Sequence, residues 1–334
     1  MLYTAIDIGT NTVLLLIAEI KEGSGGPELS VIHEEQRLPR LGKDVDAHKQ
    51  LHPESMQRVL LALQEYQQMV DSYRKEGRSV AEPVVTATSA VRDAANREEF
   101  LKLVKKQTNL DIKLLSGHDE ARYTYSGALA MTAGIMSEYA DHAMVIDIGG
   151  GSTEVAFGRK NAAVPDLFES VNAGCVRFTE RFQLNKVSGS YLDAQTDACY
   201  TAASECFEGL DQIRKAVVQT RDQLTLTGVA GTLTSLAWMQ HHDRLKTHQS
   251  YDANHLNGIV LTLEQVRRWK VYVADSGPEK LIAEFPQVMQ GRADVFLAGL
   301  IILEAFMDFF RQSELLVSTG GIRHGALLNA MHLK

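Results

Sequence analysis

Ala5-Ile6-Asp7-Ile8-Gly9-Thr10-Asn11-Thr12-Val13 and Val145-Ile146-Asp147-Ile148-Gly149-Gly150-Gly151-Ser152-Thr153-Glu154-Val155 are two versions of one pattern. Each holds an apolar, β-branched run with an aspartate inside it, a turn of glycines and hydroxyls, and a second apolar run. Such a segment reads as strand, tight turn, strand. The two aspartates stand 140 residues apart, about one domain length. A chain of 334 residues has room for two domains of ~100–200 residues. The repeat therefore predicts two similar α/β lobes, each offering its turn to a shared cleft.

Outward from the first turn, Val13–Ile20 and Leu29–Leu38 read as strands. Pro53–Glu76 reads as an amphipathic helix, with proline in its first turn and Gly77 beyond its end. Pro83–Thr88 is a short buried strand, and Ser89 is expected to cap a helical Ala90–Ala95. Asn96 opens a further helix whose Glu98 and Glu99 suit its dipole. Asp111–Leu115 is a strand, followed by a helix from Ser116-Gly117-His118-Asp119-Glu120 towards Met131.

Around the second turn, Met144–Ile148 and Glu154–Phe157 read as strands, then Cys175–Phe182 and Ser190–Val218 as helices. Leu224–Val229 is a strand that runs into Gly231-Thr232 and a helix. Thr262–Ala274 and Ala293–Phe310 read as helices, and Leu315–Ser318, Gly320-Gly321 and Ile322–Met331 as a last strand, turn and helix. The expected lobes are 1–124 with the C-terminal helix 313–334, and 125–312. The final helix is expected to cross back onto the first lobe.

Composition narrows the function classes. The formal net charge of −8 argues against a nucleic-acid or membrane-surface binder, which would carry a basic face. It also requires that any polyanionic ligand be met locally, by arginine, backbone N–H groups, helix N-termini or a metal ion. Cys175, Cys199 and Cys206 show no C-x-x-C pairing and read as reduced thiols of a cytoplasmic protein. The N-terminus has no signal-peptide pattern, and the apolar Val295–Phe306 is too short for a membrane span and contains Glu304.

The two turns are candidate phosphate loops. Glycine lets a backbone approach an anion closely, and such turns expose N–H groups and hydroxyls. Asp7 or Asp147 would then face a metal shared with the phosphates. The alternative is a pair of ordinary hairpin turns. Asp119 and Glu120 sit in a first helical turn, where acids stabilise the dipole. Glu120 is also a candidate general base if the cleft desolvates it. Glu154, directly after the second turn, could bind metal, orient water or face solvent. Ser89 and Arg92 mark a strand-to-helix switch, a natural anion site. The turns at Gly228–Thr234 and Thr319–Gly325 repeat that theme, the latter carrying Arg323. Arg292 with Asp294 reads as a salt-linked helix start. His118-Asp119 and His242-Asp243 lack the spaced partner histidines of a metal phosphohydrolase, and no G-x-S-x-G elbow occurs.

Taken together and in order, these segments resemble the exopolyphosphatase/guanosine pentaphosphate phosphohydrolase family of the actin and sugar-kinase superfamily. Asp7–Thr12, Ala87–Arg92, Ser116–Arg122, Val145–Glu154, Gly174-Cys175-Val176-Arg177, Gly228–Thr232, Gly291–Asp294 and Gly320–Gly325 carry the resemblance over nearly the whole chain. It implies two actin-like (ribonuclease H-like) lobes, in the short two-domain form, and release of terminal phosphate from inorganic polyphosphate. The alternatives are hydrolysis of guanosine penta- or tetraphosphate, a non-catalytic alarmone sensor, and an ATP-dependent enzyme of the superfamily. By resemblance, Glu120 would be the base and Glu154 would help place the water or the metal. Asp147 would hold Mg²⁺ with Asp7 opposite it, Mn²⁺ being the alternative ion. Thr10, Asn11, Thr12, Ser89, Arg92, Gly149, Gly150, Gly151, Ser152 and Thr153 would hold phosphate. A homodimer is also expected. The first loop reads Gly-Thr-Asn-Thr where the family commonly has Gly-Ser-Asn-Ser, which keeps the hydroxyls.

Overall fold

The structure, a computed structural model, describes residues 1–23, 26–132, 134–136, 140–241 and 253–332. The first sheet holds β1 (Leu2–Ile8), β2 (Val13–Gly23), β3 (Gly26–Arg37), β4 (Val84–Ala87) and β5 (Ile112–Leu114) in the order β3-β2-β1-β4-β5. β1, β2 and β3 form an antiparallel meander, while β4 and β5 run parallel to β1.

The second sheet holds β6 (His142–Ile148), β7 (Thr153–Arg159), β8 (Leu167–Val171), β9 (Leu224–Val229), β10 (Val260–Thr262) and β11 (Glu314–Val317). Its order, β10-β11-β9-β6-β7-β8, repeats the first sheet from the other end, with β10 added antiparallel to β11. The architecture is the expected α/β one, two mixed sheets in two lobes. Central strands covered on both faces read as nearly continuous apolar runs. β1 and β6 do so until Asp7 and Asp147, near their carboxyl ends.

Helix Pro53–Lys75 lays a stripe of Met56, Val59, Leu60, Leu63, Tyr66 and Val70 on the first sheet, beside Phe100 and Val104 of helix Arg97–Thr108. That i, i+3, i+4 spacing is the core face of an amphipathic helix. Helix Ala293–Phe310 is apolar almost all round and is correspondingly sunk in the second lobe's core. Among the described residues no helix is long and apolar enough to cross a membrane.

Two helices exchange lobes. Helix Gly117–Thr132 follows β5 but packs Ala121, Tyr125, Ala128 and Leu129 on the second sheet. Helix Ile322–His332 follows β11 but lays Leu327 on Ala5, Leu16 and Ala18 of the first. They cross with backbones in contact. A Cβ on Gly325 would stand 1.9 Å from the Tyr123 carbonyl oxygen, and one on Gly320 would stand 2.0 Å from that of Gly127. The segment 313–334 is thereby divided, its strand β11 in the second sheet and its helix on the first.

Several elements differ from the sequence expectation. Ser190–Val218 is two helices, Ser190–Glu208 and Asp211–Gln219, parted at Gly209. The helix expected over Thr262–Ala274 runs from Leu263 to Glu284 through a kink at Gly277-Pro278, where Gly277 has φ 71°. Thr88 rather than Ser89 takes the cap position of helix Ser89–Asp93. The strands β8 and β10 were not anticipated. His242-Asp243 lies outside the described residues.

Candidate active site

The two turns have the same construction. The Gly9 N–H donates to the Thr12 carbonyl at 2.8 Å, and the Gly149 N–H to the Ser152 carbonyl at 3.0 Å. They meet across the lobes. Within the first lobe, Thr10 Oγ1 and Ser89 Oγ lie 3.0 Å apart and face the second turn. A Cβ on Gly150 would stand 2.7 Å from Thr10 Cβ, and one on Gly151 would stand 2.6 Å from Ser89 Oγ, so glycine is what lets the loops touch. Beside them opens a cleft of about 1090 Å³, continuous with solvent.

Four carboxylates converge on this cleft: Asp7, Glu120, Asp147 and Glu154. All are buried. Burial raises Asp7 to about 6, against a 2.8 Å hydrogen bond from Thr86 Oγ1 and the positive charge of Arg323. Burial and then Glu154 raise Asp147 to about 7, against a 3.2 Å bond from Thr124 Oγ1. Glu120 is pushed well above the usual carboxylate range, by burial first and Glu154 second, although Arg92 pairs with it. Burial also raises Glu154, whose Oε1 accepts from Ser170 Oγ at 2.7 Å. Raised carboxylates gathered in a cleft mark a place where protons are exchanged or cations are bound.

The remainder of the cleft combines glycines and two arginines with apolar side chains such as Leu14, Val229, Val295 and Phe296. Gln36, Gly231, Arg292, Gly320, Gly321 and Arg323 line it. Arg292 donates to the Gly231 carbonyl at 3.2 Å, to Ser235 Oγ at 3.0 Å and, across the lobes, to Gln36 Oε1 at 3.0 Å. Asp294, expected as its partner, is paired with Arg40 of the other lobe. Ala230, at the start of helix Ala230–Gln240, has φ 71°, a costly conformation for a residue with a Cβ, and it too lines the cleft.

Most of the expected site residues come together here. Thr10, Asn11, Thr12, Ser89, Gly149, Gly150 and Ser152 line the cleft with the four acids. Thr153 does not: it is fully buried, and its hydroxyl donates to the Ala173 carbonyl. Side chains alternate along a strand, so Glu154 and Thr153 point to opposite faces. Gly151 sits behind the turn, against Ser89 and Arg177, and Arg92 reaches the site only through Glu120. His118 packs edge-on against Phe168, with ring centroids 4.1 Å apart, while Asp119 bonds Ser116 and pairs with Arg122. Sequence reasoning missed Thr124, Ser170 and Gln36. They come from other strands and helices, and no local pattern marks them.

The Ppx/GppA phosphatase family matches residues 16–334. The chain belongs to the Ppx/GppA phosphatase family. It is 29% identical over 341 residues to Exopolyphosphatase 2 of Mycobacterium tuberculosis, covering 97% of each chain. It is also 29% identical over 335 residues to the bifunctional 3-dehydroquinate synthase/phosphatase of Fusobacterium nucleatum, covering 100% of this chain and 47% of that protein. The chain thus spans about half the length of that relative. The crystal structure of the Aquifex aeolicus member of the Ppx/GppA family is similar, with 29% identity, a TM-score of 0.76, and coverage of 100% of this chain and 98% of that one.

Proposed function

We propose that this chain releases terminal orthophosphate from inorganic polyphosphate by metal-assisted attack of water. The observation that carries the reading is the meeting of two glycine-hydroxyl turns and four buried carboxylates in one cleft. The turns hold the terminal phosphoryl group and its neighbour. Glu120, whose proton affinity burial has raised, takes a proton from water as the water oxygen bonds to the terminal phosphorus. The bridging P–O bond breaks, and the leaving oxygen departs as the new end of the shortened chain. Arg92 keeps Glu120 in place, and Glu154, held by Ser170, orients the water.

Mg²⁺ fits this donor set, with Mn²⁺ as the alternative. Among the described residues no three His, Cys, Asp or Glu side chains come close enough to cage an ion. Mg²⁺ needs no cage: one or two carboxylates, retained waters and substrate phosphates suffice. Asp7 and Asp147 each have one oxygen held by a threonine hydroxyl, which leaves the other for an ion. Bound there, the ion would offset charge on the phosphates.

A second reading shares the site. The cleft continues past the turns to Gly231, Arg292, Gly320 and Gly321, which leaves room for a nucleoside beyond the phosphates and suits guanosine pentaphosphate. The test is phosphate release with Mg²⁺ from polyphosphate, guanosine pentaphosphate and ATP, by wild type and Glu120→Gln. Loss of a general base lowers the rate by ~10²–10⁴-fold. Release mainly from polyphosphate, lost in the variant, supports the first reading; release mainly from guanosine pentaphosphate replaces it with the second. An undiminished rate in Glu120→Gln removes Glu120 from the mechanism.

A further inference from the structure

Arg177 does not line the cleft, yet it holds the back of the second turn. Three consecutive carbonyls of that turn accept hydrogen bonds from helix Cys175–Phe182. The Gly149 oxygen accepts from the Cys175 N–H at 3.0 Å, and the Gly150 oxygen from the Val176 and Arg177 N–H groups at 2.9 and 3.1 Å. The Gly151 oxygen instead accepts from a side chain, Arg177 Nε, at 2.7 Å. In a trans peptide the N–H points opposite to the C=O. Holding the Gly151 carbonyl therefore turns the Ser152 N–H towards the cleft, where it completes a nest of anion-binding donors.

The same guanidinium crosses to the other lobe. Nη2 donates to Asp93 Oδ2 at 2.9 Å, and Nη1 pairs with Asp46. Asp93 ends the five-residue helix that also carries Ser89 and Arg92, the partners of Thr10 and Glu120. The first turn has no such dependence. Its Thr10 and Asn11 carbonyls accept from backbone N–H groups of its own lobe, Gly42 at 2.8 Å and Arg40 at 3.1 Å.

We propose that Arg177 is a positioning residue that ties the order of the second phosphate turn to closure of the lobes. Closed lobes give its planar fork two carboxylates and fix the Gly151 carbonyl. Parted lobes take those carboxylates away and free the turn. Lysine, a point charge on a flexible stem, does not serve three acceptors in this geometry. The kinetic arm of the test rests on the phosphohydrolase reading; the structural arm does not.

The experiment is amide hydrogen exchange over residues 149–155 of the substrate-free protein, with phosphate-release kinetics in parallel. The variants are Arg177→Lys, Arg177→Gln, and Asp46→Asn with Asp93→Asn, which break the bridge from opposite lobes. All three are expected to speed exchange in the turn and to lower kcat by roughly 10²-fold, the usual cost of one oriented donor. Adding Arg177→Gln to the aspartate pair is expected to change little more, because residues acting as a unit are non-additive. Unchanged exchange in the Asp46→Asn, Asp93→Asn protein overturns the proposal, as does full additivity. If wild type releases no phosphate from any substrate, the functional reading fails while exchange still decides the role of Arg177.

Discussion

The β1–β2 and β6–β7 hairpins share a backbone and a register but not a charge. Across the ladder from Asp7 stands Leu14, whereas across from Asp147 stands Glu154. Arg323 draws the Asp7 carboxyl down, while Glu154 pushes Asp147 up. Asp7 is bonded by Thr86 of the neighbouring strand, and Asp147 by Thr124 of the helix that crosses from the other lobe. Backbone symmetry suits anion binding, because both turns are closed by the same N–H to carbonyl bond. Acid–base chemistry needs the opposite. It would require an excess of carboxylate on one side, and Glu154, across from Asp147, raises both Asp147 and Glu120.

The largest expected effect comes from erasing that difference. Glu154→Leu makes the second hairpin match the first. It removes the acid beside Glu120 and is expected to lower phosphate release by about 10²-fold, the lower end for a proton-transfer partner. Leu14→Glu in the same chain restores the carboxylate count on the wrong side and is expected to recover nothing. Recovery would show that the cleft counts charges without placing them. Unchanged turnover in Glu154→Leu alone would leave Glu154 as packing beneath Ser170.

The comparison sharpens when pH is varied without divalent ions. Asp7 at about 6 and Asp147 at about 7 both lie above their ordinary values through burial. From about pH 4 to 7 the folded protein then binds more protons than the unfolded chain, so stability falls as pH rises through that window. Asp147→Asn is expected to raise stability at pH 8 by roughly 2 kcal/mol. Asp7→Asn is expected to raise it by less, since Arg323 already offsets that charge. At pH 5 both gains should shrink, because the native carboxyls are then largely protonated. Thermal melts at the two pH values check this. Equal gains at both would separate the effect from ionisation, and a larger gain for Asp7→Asn would reverse the asymmetry.

How much of this was legible follows from how local each determinant is. The paired turns were readable because strand, aspartate, glycines and hydroxyls are contiguous. Helices Cys175–Phe182 and Ala293–Phe310 and the strand Leu224–Val229 have the bounds the sequence predicted. Gly277-Pro278 looks like a stop signal, but the helix resumes after the kink and buries Leu281. β10, at three residues, is too short to show a period of two. Thr153 was misplaced although strand alternation alone sets it opposite Glu154. The Arg92–Glu120 pair and the Arg177 bridge were invisible for another reason. Their partners lie 28 to 131 residues away, and only the sheet order and the helix exchange bring them together.

The smallest effect tests where the turns touch. Thr10 occupies the position that Gly150 holds in the second turn, and its methyl and hydroxyl do different work. The methyl fills the space over Gly42 and Gly150, where a Cβ would stand 2.2 and 2.8 Å from it. The hydroxyl meets Ser89 Oγ at 3.0 Å in a buried setting. Thr10→Val keeps the shape and strips the hydrogen bond, and it is expected to cost about 1 kcal/mol. Thr10→Ser keeps the bond and empties the space above both glycines. Because Ser89 heads the helix that carries Arg92, the valine variant should also weaken phosphate release, whereas the serine variant should lose only stability. Melts and kinetics on the pair separate the two roles. If valine costs stability and leaves turnover untouched, the Thr10–Ser89 bond serves stability alone.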